Sequence, residues 1–173
     1  ALFVLIIKLD SAGPVIYKQE RMGKNGKIFN LYKFRTMFLD SENKLKELLA
    51  NDDALRSEYE YYHKLKKDPR VTGFGRFLRK TSLDELPQII NIFKGEMSWV
   101  GPRAYMPEER ETMGKSADLI LRVTPGMTGW WQVMGRHEVT FTERLRLDEY
   151  YISNFSLWID FYVIMKTVWI VIT

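Results

Sequence analysis

The chain has 173 residues, which suits one domain, and 46% of them are hydrophobic, enough for a core. It has no cysteine, which excludes disulfides, thiolate nucleophiles and cysteine-held zinc, and its only histidines are His63 and His137, so any catalysis rests on Asp, Glu, Lys and Arg. Net charge is +4 but uneven: residues 1–80 carry 17 Lys/Arg against 10 Asp/Glu and residues 81–173 carry 9 against 12, so the first half points to an anionic partner such as phosphate, lipid headgroups or nucleic acid.

The chain opens without Met inside an apolar run, Ala1-Leu2-Phe3-Val4-Leu5-Ile6-Ile7. A helix over Ala1–Leu9 would be only about 13 Å long, against a bilayer core of roughly 30 Å. Residues 1–9 are therefore expected to be the tail of a truncated membrane-associated helix. No cleavable signal pattern follows. Ser11-Ala12-Gly13-Pro14 ends the run, and Val15-Ile16-Tyr17 reads as a short strand. Gly23-Lys24-Asn25-Gly26 is a turn signal, and Ile28 to Phe34 alternates as a second strand, so a small antiparallel hairpin is predicted.

From Leu39 to about Lys67 the chain is polar and helix-prone, with Leu45, Leu48, Leu49, Leu55, Tyr59 and Tyr62 near one stripe. Asn51-Asp52-Asp53 weakens that stripe and allows two helices; Asp68-Pro69 ends them. Phe74, Phe77 and Leu78 share a face of a short helix after Gly73-Phe74-Gly75, which lacks the spacing of a Walker loop or a dinucleotide fingerprint. A further helix is expected from near Asp84 to Phe93, stopped by Lys94-Gly95. Residues 124–129 read as a turn or loop, Trp130-Trp131-Gln132-Val133 as an extended piece, and Phe141 to Tyr151 as a charged helix. Residues 157–173 form an apolar, aromatic helix interrupted by Asp160 and Lys166. Those charges make a spanning helix costly and leave it lying at an interface or packed on the domain.

The densest chemical signal is Thr81-Ser82-Leu83-Asp84-Glu85-Leu86-Pro87-Gln88. Two frames are open for its acids. Ser82 and Glu85 have capping-box spacing, and Asp84 as the N-cap would place Pro87 where no intrahelical bond is needed. On the octapeptide alone, a cap is the bland reading. The neighbouring cations argue for more: Arg76, Arg79 and Lys80 precede it, Arg103 follows Gly101-Pro102, and Lys33 and Arg35 lie in Tyr32-Lys33-Phe34-Arg35-Thr36. Such cations hold phosphate oxygens, and an Asp beside them can attack phosphorus. An ordinary Asp, with a pKa of about 3.9, is already ionised at pH 7, so it needs positioning and neutralisation more than a base. A neighbouring Glu with Mg²⁺ supplies that.

Six segments in order carry a resemblance over nearly the whole chain: residues 13–21 (GPVIYKQER), 32–37 (YKFRTM), 68–72 (DPRVT), 78–87 (LRKTSLDELP), 98–103 (SWVGPR) and 125–129 (PGMTG). Together they resemble the catalytic domain of the bacterial monotopic phosphoglycosyl transferases, also called bacterial sugar transferases. The resemblance implies a single catalytic domain over 1–173, with an α+β, helix-dominated fold, a small antiparallel hairpin and a monotopic association with the membrane. It implies transfer of a sugar 1-phosphate from a UDP-sugar to a polyprenyl phosphate such as undecaprenyl phosphate. UMP is released, and the step initiates surface-polysaccharide assembly on the cytoplasmic face of the bacterial inner membrane. On this resemblance Asp84 matches the covalent nucleophile, and Glu85 matches the acid associated with Mg²⁺. Lys33, Arg79 and Arg103 match essential basic positions, and Asp160 matches a required acid whose role the sequence does not explain. The family's upstream re-entrant helix is represented only by its tail, and Ala12 stands where Pro is common. No nucleic acid is expected as a partner, and a homo-oligomer is left open. The rival readings are a non-catalytic membrane scaffold and a basic nucleic-acid-binding module, the latter without any recognisable motif.

Overall fold

Strand β1 (Ile16–Met22) and strand β2 (Ile28–Phe34) pair as the predicted antiparallel hairpin. The turn works because Asn25 and Gly26 both take left-handed φ, 58° and 73°, which Asn and Gly tolerate best. The computed structural model describes residues 2–62, 65, 67–135 and 139–172, so both histidines lie outside the described residues. Contacts divide the chain into two compact units, residues 1–17 with 34–84 and residues 18–33 with 85–173.

Among the described residues the first unit holds four helices: α1 (Leu2–Asp10), α2 (Ser41–Asn51), α3 (Asp53–Tyr62) and α4 (Gly73–Lys80). The break between α2 and α3 falls at Asp52, as Asn51-Asp52-Asp53 implied. The Asp52 carboxylate accepts from the backbone N–H groups of Ala54 and Leu55 at 2.9 and 3.0 Å and so starts α3. Helix α4 is capped by Thr72, whose Oγ1 accepts from Gly75 N–H at 2.9 Å. Asp10, at the end of α1, accepts from Phe74 N–H at 3.0 Å and supplies a second acceptor at the same positive end. Leu78 is wholly buried, and Phe3, Phe34 and Phe74 pack ring against ring.

The second unit contains α5 (Ile89–Phe93), β3 (Ser98–Val100), α6 (Arg110–Met113), α7 (Ser116–Ile120), β4 (Gly126–Thr128), α8 (Trp130–Met134), α9 (Phe141–Ser153) and α10 (Leu157–Ile172). Asn91 is a buried polar hub. Its Oδ1 accepts from Tyr32 N–H at 3.1 Å, and its Nδ2 donates to Asn30 O and Glu96 Oε2, both at 2.7 Å. Helix α9 starts on a capping box, Thr140 with Glu143. One stripe of α10, Ile159, Val163 and Ile170, packs on Val100, Val133 and Tyr151. The outer face leaves Leu157, Trp158, Phe161, Met165 and Ile172 exposed. Among the described residues no helix is long and apolar enough to cross a membrane.

Two expectations for residues 124–134 need correction. Residues 126–128 are not loop: β4 pairs in parallel with β3, Ser98 opposite Gly126 and Val100 opposite Thr128. Residues 130–134 are not extended but form α8, because the strand ends two residues earlier and Gly129 starts the helix from an extended backbone. The β3–β4 approach explains Gly101 and Gly126. A Cβ on Gly101 would lie 2.6 Å from Gly126 N and 2.8 Å from Thr124 O, and one on Gly126 would collide with Gly101 N. These obstacles are backbone and cannot swing away. Gly126→Ala is expected to cost about 2–3 kcal/mol, read as a lower urea midpoint. An unchanged midpoint would mean that the two strands separate freely.

Candidate active site

In the first unit, the end of α4 and the turn after it build the surroundings of Asp84. Arg79 lies in the last turn of α4, and its Nε donates to Thr36 Oγ1 at 2.9 Å. Ser82 then takes a left-handed φ of 53°, with its N–H on Arg79 O at 3.3 Å, and the chain enters a 3₁₀ turn over Leu83–Gln88. Asp84 is the second residue of that turn and is 9% exposed. It is therefore inside the helical turn, and neither capping frame is realised: Ser82 is not in the extended conformation of an N-cap, and Glu85 turns its carboxylate to Lys33. Pro87 fits because a 3₁₀ turn replaces the first turns of the expected α-helix, which begins only at Ile89.

Asp84 and Arg79 feel each other's charge. Desolvation lowers the Arg79 pKa, while the carboxylates of Asp84 and Asp68 pull it back up. The Arg79 side chain nonetheless reaches solvent, so this coupling is partly screened. Asp68 is itself gripped by Arg70, with Nη2–Oδ2 at 2.6 Å and Nε–Oδ1 at 2.8 Å. Burial would raise the Asp68 pKa, but the bonds from Arg70 outweigh it and hold it below the usual range. This pair was not singled out from sequence; its signal was the Asp-Pro-Arg spacing, which lets one arginine fork around a carboxylate two residues back. Arg35 is 7% exposed, and its Nη2 donates to Ser11 O at 2.5 Å, Ser11 Oγ at 2.9 Å and Ile7 O at 3.5 Å, a cation on the carbonyl end of α1.

In the second unit, Lys33 Nζ donates to Glu85 Oε1 at 2.7 Å, with the side chains 29% and 25% exposed. Arg103 stands just after β3. Its backbone N–H donates to Asp148 Oδ2 at 3.1 Å. Its guanidinium lies over the rings of Trp131 and Tyr105, at 5.6 and 5.9 Å, with Nη2 4.0 Å from Glu109 Oε1. Asp160 accepts from Tyr151 OH at 2.7 Å, and burial together with that bond raises the Tyr151 pKa.

Sequence reasoning missed Asp148. It is wholly buried in α9, with Oδ2 accepting from Tyr105 OH at 2.8 Å as well as from Arg103 N–H. Burial pushes its carboxyl up to about 7, against the opposing bonds from Tyr105 and Arg103 and the charges of Arg103 and Arg144. The clue was available: Phe141, Leu145, Asp148 and Ile152 form one helical stripe, and an acid on an apolar stripe has to be explained. Arg144, one turn before it, stacks on Trp131 at 4.8 Å.

Among the described residues no group of three metal-ligating side chains occurs. Mg²⁺ does not require one: it commonly binds through one or two carboxylates plus substrate phosphates and water. The partly exposed Glu85 carboxylate has one oxygen on Lys33 Nζ and offers only its other oxygen to such an ion.

An undecaprenyl-phosphate galactose phosphotransferase of Salmonella typhimurium is 50% identical over 92% of this chain, which covers 34% of that protein. A UDP-galactose-lipid carrier transferase of Erwinia amylovora is 44% identical over 99% of the chain and 36% of its own length. The exopolysaccharide production protein ExoY of Sinorhizobium fredii is 42% identical over 96% of the chain and 75% of its own length. The chain thus spans about a third of the length of the first two. Residues 1–173 match the description of the bacterial sugar transferase family throughout, and the chain belongs to that family.

Proposed function

We propose that the protein transfers a sugar 1-phosphate from a UDP-sugar to a polyprenyl phosphate, undecaprenyl phosphate in the first instance, through a covalent intermediate on Asp84. The observation that carries this reading is the 50% identity, over 92% of the chain, to a protein named for galactose phosphotransfer to undecaprenyl phosphate. The buried Asp84 beside the charge of Arg79 supports the choice of nucleophile.

In the first half-reaction a carboxylate oxygen of Asp84 attacks the β-phosphorus of the donor. The bond from that phosphorus to the α–β bridging oxygen breaks, and UMP leaves with the electron pair. In the second, a phosphate oxygen of the lipid attacks the same phosphorus and the Asp84 carboxylate is released. Neither displacement needs a proton to be removed from the attacking group. Catalysis therefore rests on positioning and charge stabilisation. Arg79, Lys33 and Arg103 are the cations we assign to the donor phosphates. Glu85 would hold a Mg²⁺, which when bound supplies neutralisation of the diphosphate. Arg35, engaged at the end of α1, we assign to that helix terminus rather than to the donor. Asp160 we assign to holding the start of α10 through Tyr151.

The exposed apolar face of α10, with Trp158 and Phe161 beside Leu157, suits an interfacial helix on the cytoplasmic side of the bacterial inner membrane. There the lipid phosphate is presented at headgroup depth. The protein, reconstituted in liposomes with undecaprenyl phosphate and Mg²⁺, is expected to release UMP from at least one of a panel of UDP-sugars. EDTA is expected to cut that rate by ~10²-fold or more. Absence of UMP release across the panel would overturn the reading. Full activity in EDTA would remove the metal from it.

A further inference from the structure

We infer that Asp148 is a positioning residue for Arg103. The inference rests on the reading of Arg103 as a donor-phosphate ligand. Residues 101–105 leave β3 and reach Asp148 twice, through the N–H of Arg103 at 3.1 Å and the hydroxyl of Tyr105 at 2.8 Å. Both bonds end on the same oxygen, Oδ2, in a side chain with no exposure. The other oxygen, Oδ1, is buried without a hydrogen-bond partner. A buried carboxylate is costly, and hydrogen bonds to it stabilise the arrangement that makes them. Asp148 therefore fixes the backbone at Arg103 from one side and the ring of Tyr105 from the other.

That ring and the Trp131 ring are the surfaces over which the Arg103 guanidinium lies. Trp131 in turn carries Arg144 at 4.8 Å, and Glu109 stands 4.0 Å from Arg103 Nη2. The guanidinium is thus held by aromatic faces and one weak ion pair, not by a bidentate carboxylate. Its fork remains suited to phosphate oxygens, and its direction depends on the backbone that Asp148 pins. What matters at Asp148 is the acceptor oxygen, so a carboxamide in its place preserves the function.

The test is a double-mutant cycle on kcat/KM for the UDP-sugar, with UMP release measured in liposomes. Arg103→Ala and Asp148→Ala are each expected to lower kcat/KM by ~10²-fold. The double variant is expected to be no worse than Arg103→Ala alone, because Asp148 acts through Arg103. Asp148→Asn should recover most of the activity, and Tyr105→Phe, which retains the Arg103 bond, should raise KM more than it lowers kcat. Urea midpoints identify any variant that is simply unfolded. Should Asp148→Ala be one, Asp148→Asn and Tyr105→Phe carry the test. Additive losses in the double variant, or an Asp148→Asn as impaired as Arg103→Ala, would overturn the inference alone. Unchanged kcat/KM in Arg103→Ala would overturn the donor-phosphate reading, and the inference with it.

Discussion

Asp84→Asn is expected to abolish both the covalent sugar-phosphate adduct and turnover, with a loss of ~10⁴-fold or more. The carboxamide has nearly the size of the carboxylate, so the 3₁₀ turn over Leu83–Gln88 should accept it. What it loses is the oxygen proposed as nucleophile and the negative charge felt by Arg79. The measurement is labelled protein after incubation with a sugar-labelled UDP-sugar, alongside UMP release and a urea midpoint. An Asp84→Asn protein that still formed the adduct would show that the nucleophile is elsewhere. Glu85→Gln makes the contrast: it removes one partner of the Lys33 pair and the proposed metal ligand, so it should slow adduct formation while leaving its stoichiometry unchanged.

The second large effect concerns stability and pH. Burial holds the Asp148 carboxyl at about 7 in the folded protein. Unfolded, an ordinary Asp titrates near a pKa of about 3.9. Between those values the folded state keeps a proton that the unfolded chain has released. The stability contribution is therefore fully present below about pH 4 and is lost as pH rises through the folded pKa, at about 1.4 kcal/mol per pH unit. Above that pKa it changes no further. Asp148→Asn removes this titration, so the urea-derived stability of the wild type minus that of the variant should fall from pH 4.5 to pH 7 and then level off. Taking the difference cancels the other acids. A flat difference, or one that rises with pH, would mean that the buried carboxyl is not the origin of the shift.

Local patterns predicted local structure well. The apolar start of α1, the alternating residues of β2, the Asn-Gly turn and the break at Asp52 each reported their own backbone, because the cause of each lies within a few residues. Strands β3 and β4 were invisible for the opposite reason. Each has three residues, too few to show a period, and each exists through a partner 28 positions away in register. Their trace in the sequence is Gly101 and Gly126, the latter in a stretch that reads as a turn, and both serve close backbone approach. The candidate site divides similarly. Acids and cations were legible as residue types, but the pairing of Lys33 with Glu85 and the turning of Arg35 to the end of α1 depend on contacts 52 and 24 residues apart. Neither Ser82 nor Asp84 caps an α-helix, because Ser82 adopts a left-handed turn and the chain continues as a 3₁₀ turn.

That left-handed Ser82 sets a filter on sequence drift next to the acids. The position is exposed, so side-chain volume is not what limits it. Backbone shape is: Gly or Asn would enter at little strain, whereas Val or Ile would add about 1–2 kcal/mol. Variation among relatives at this site should therefore follow Ramachandran preference rather than polarity. An engineered library at position 82, sorted for folding alone, should return Gly, Asn, Asp and Ser ahead of every β-branched residue.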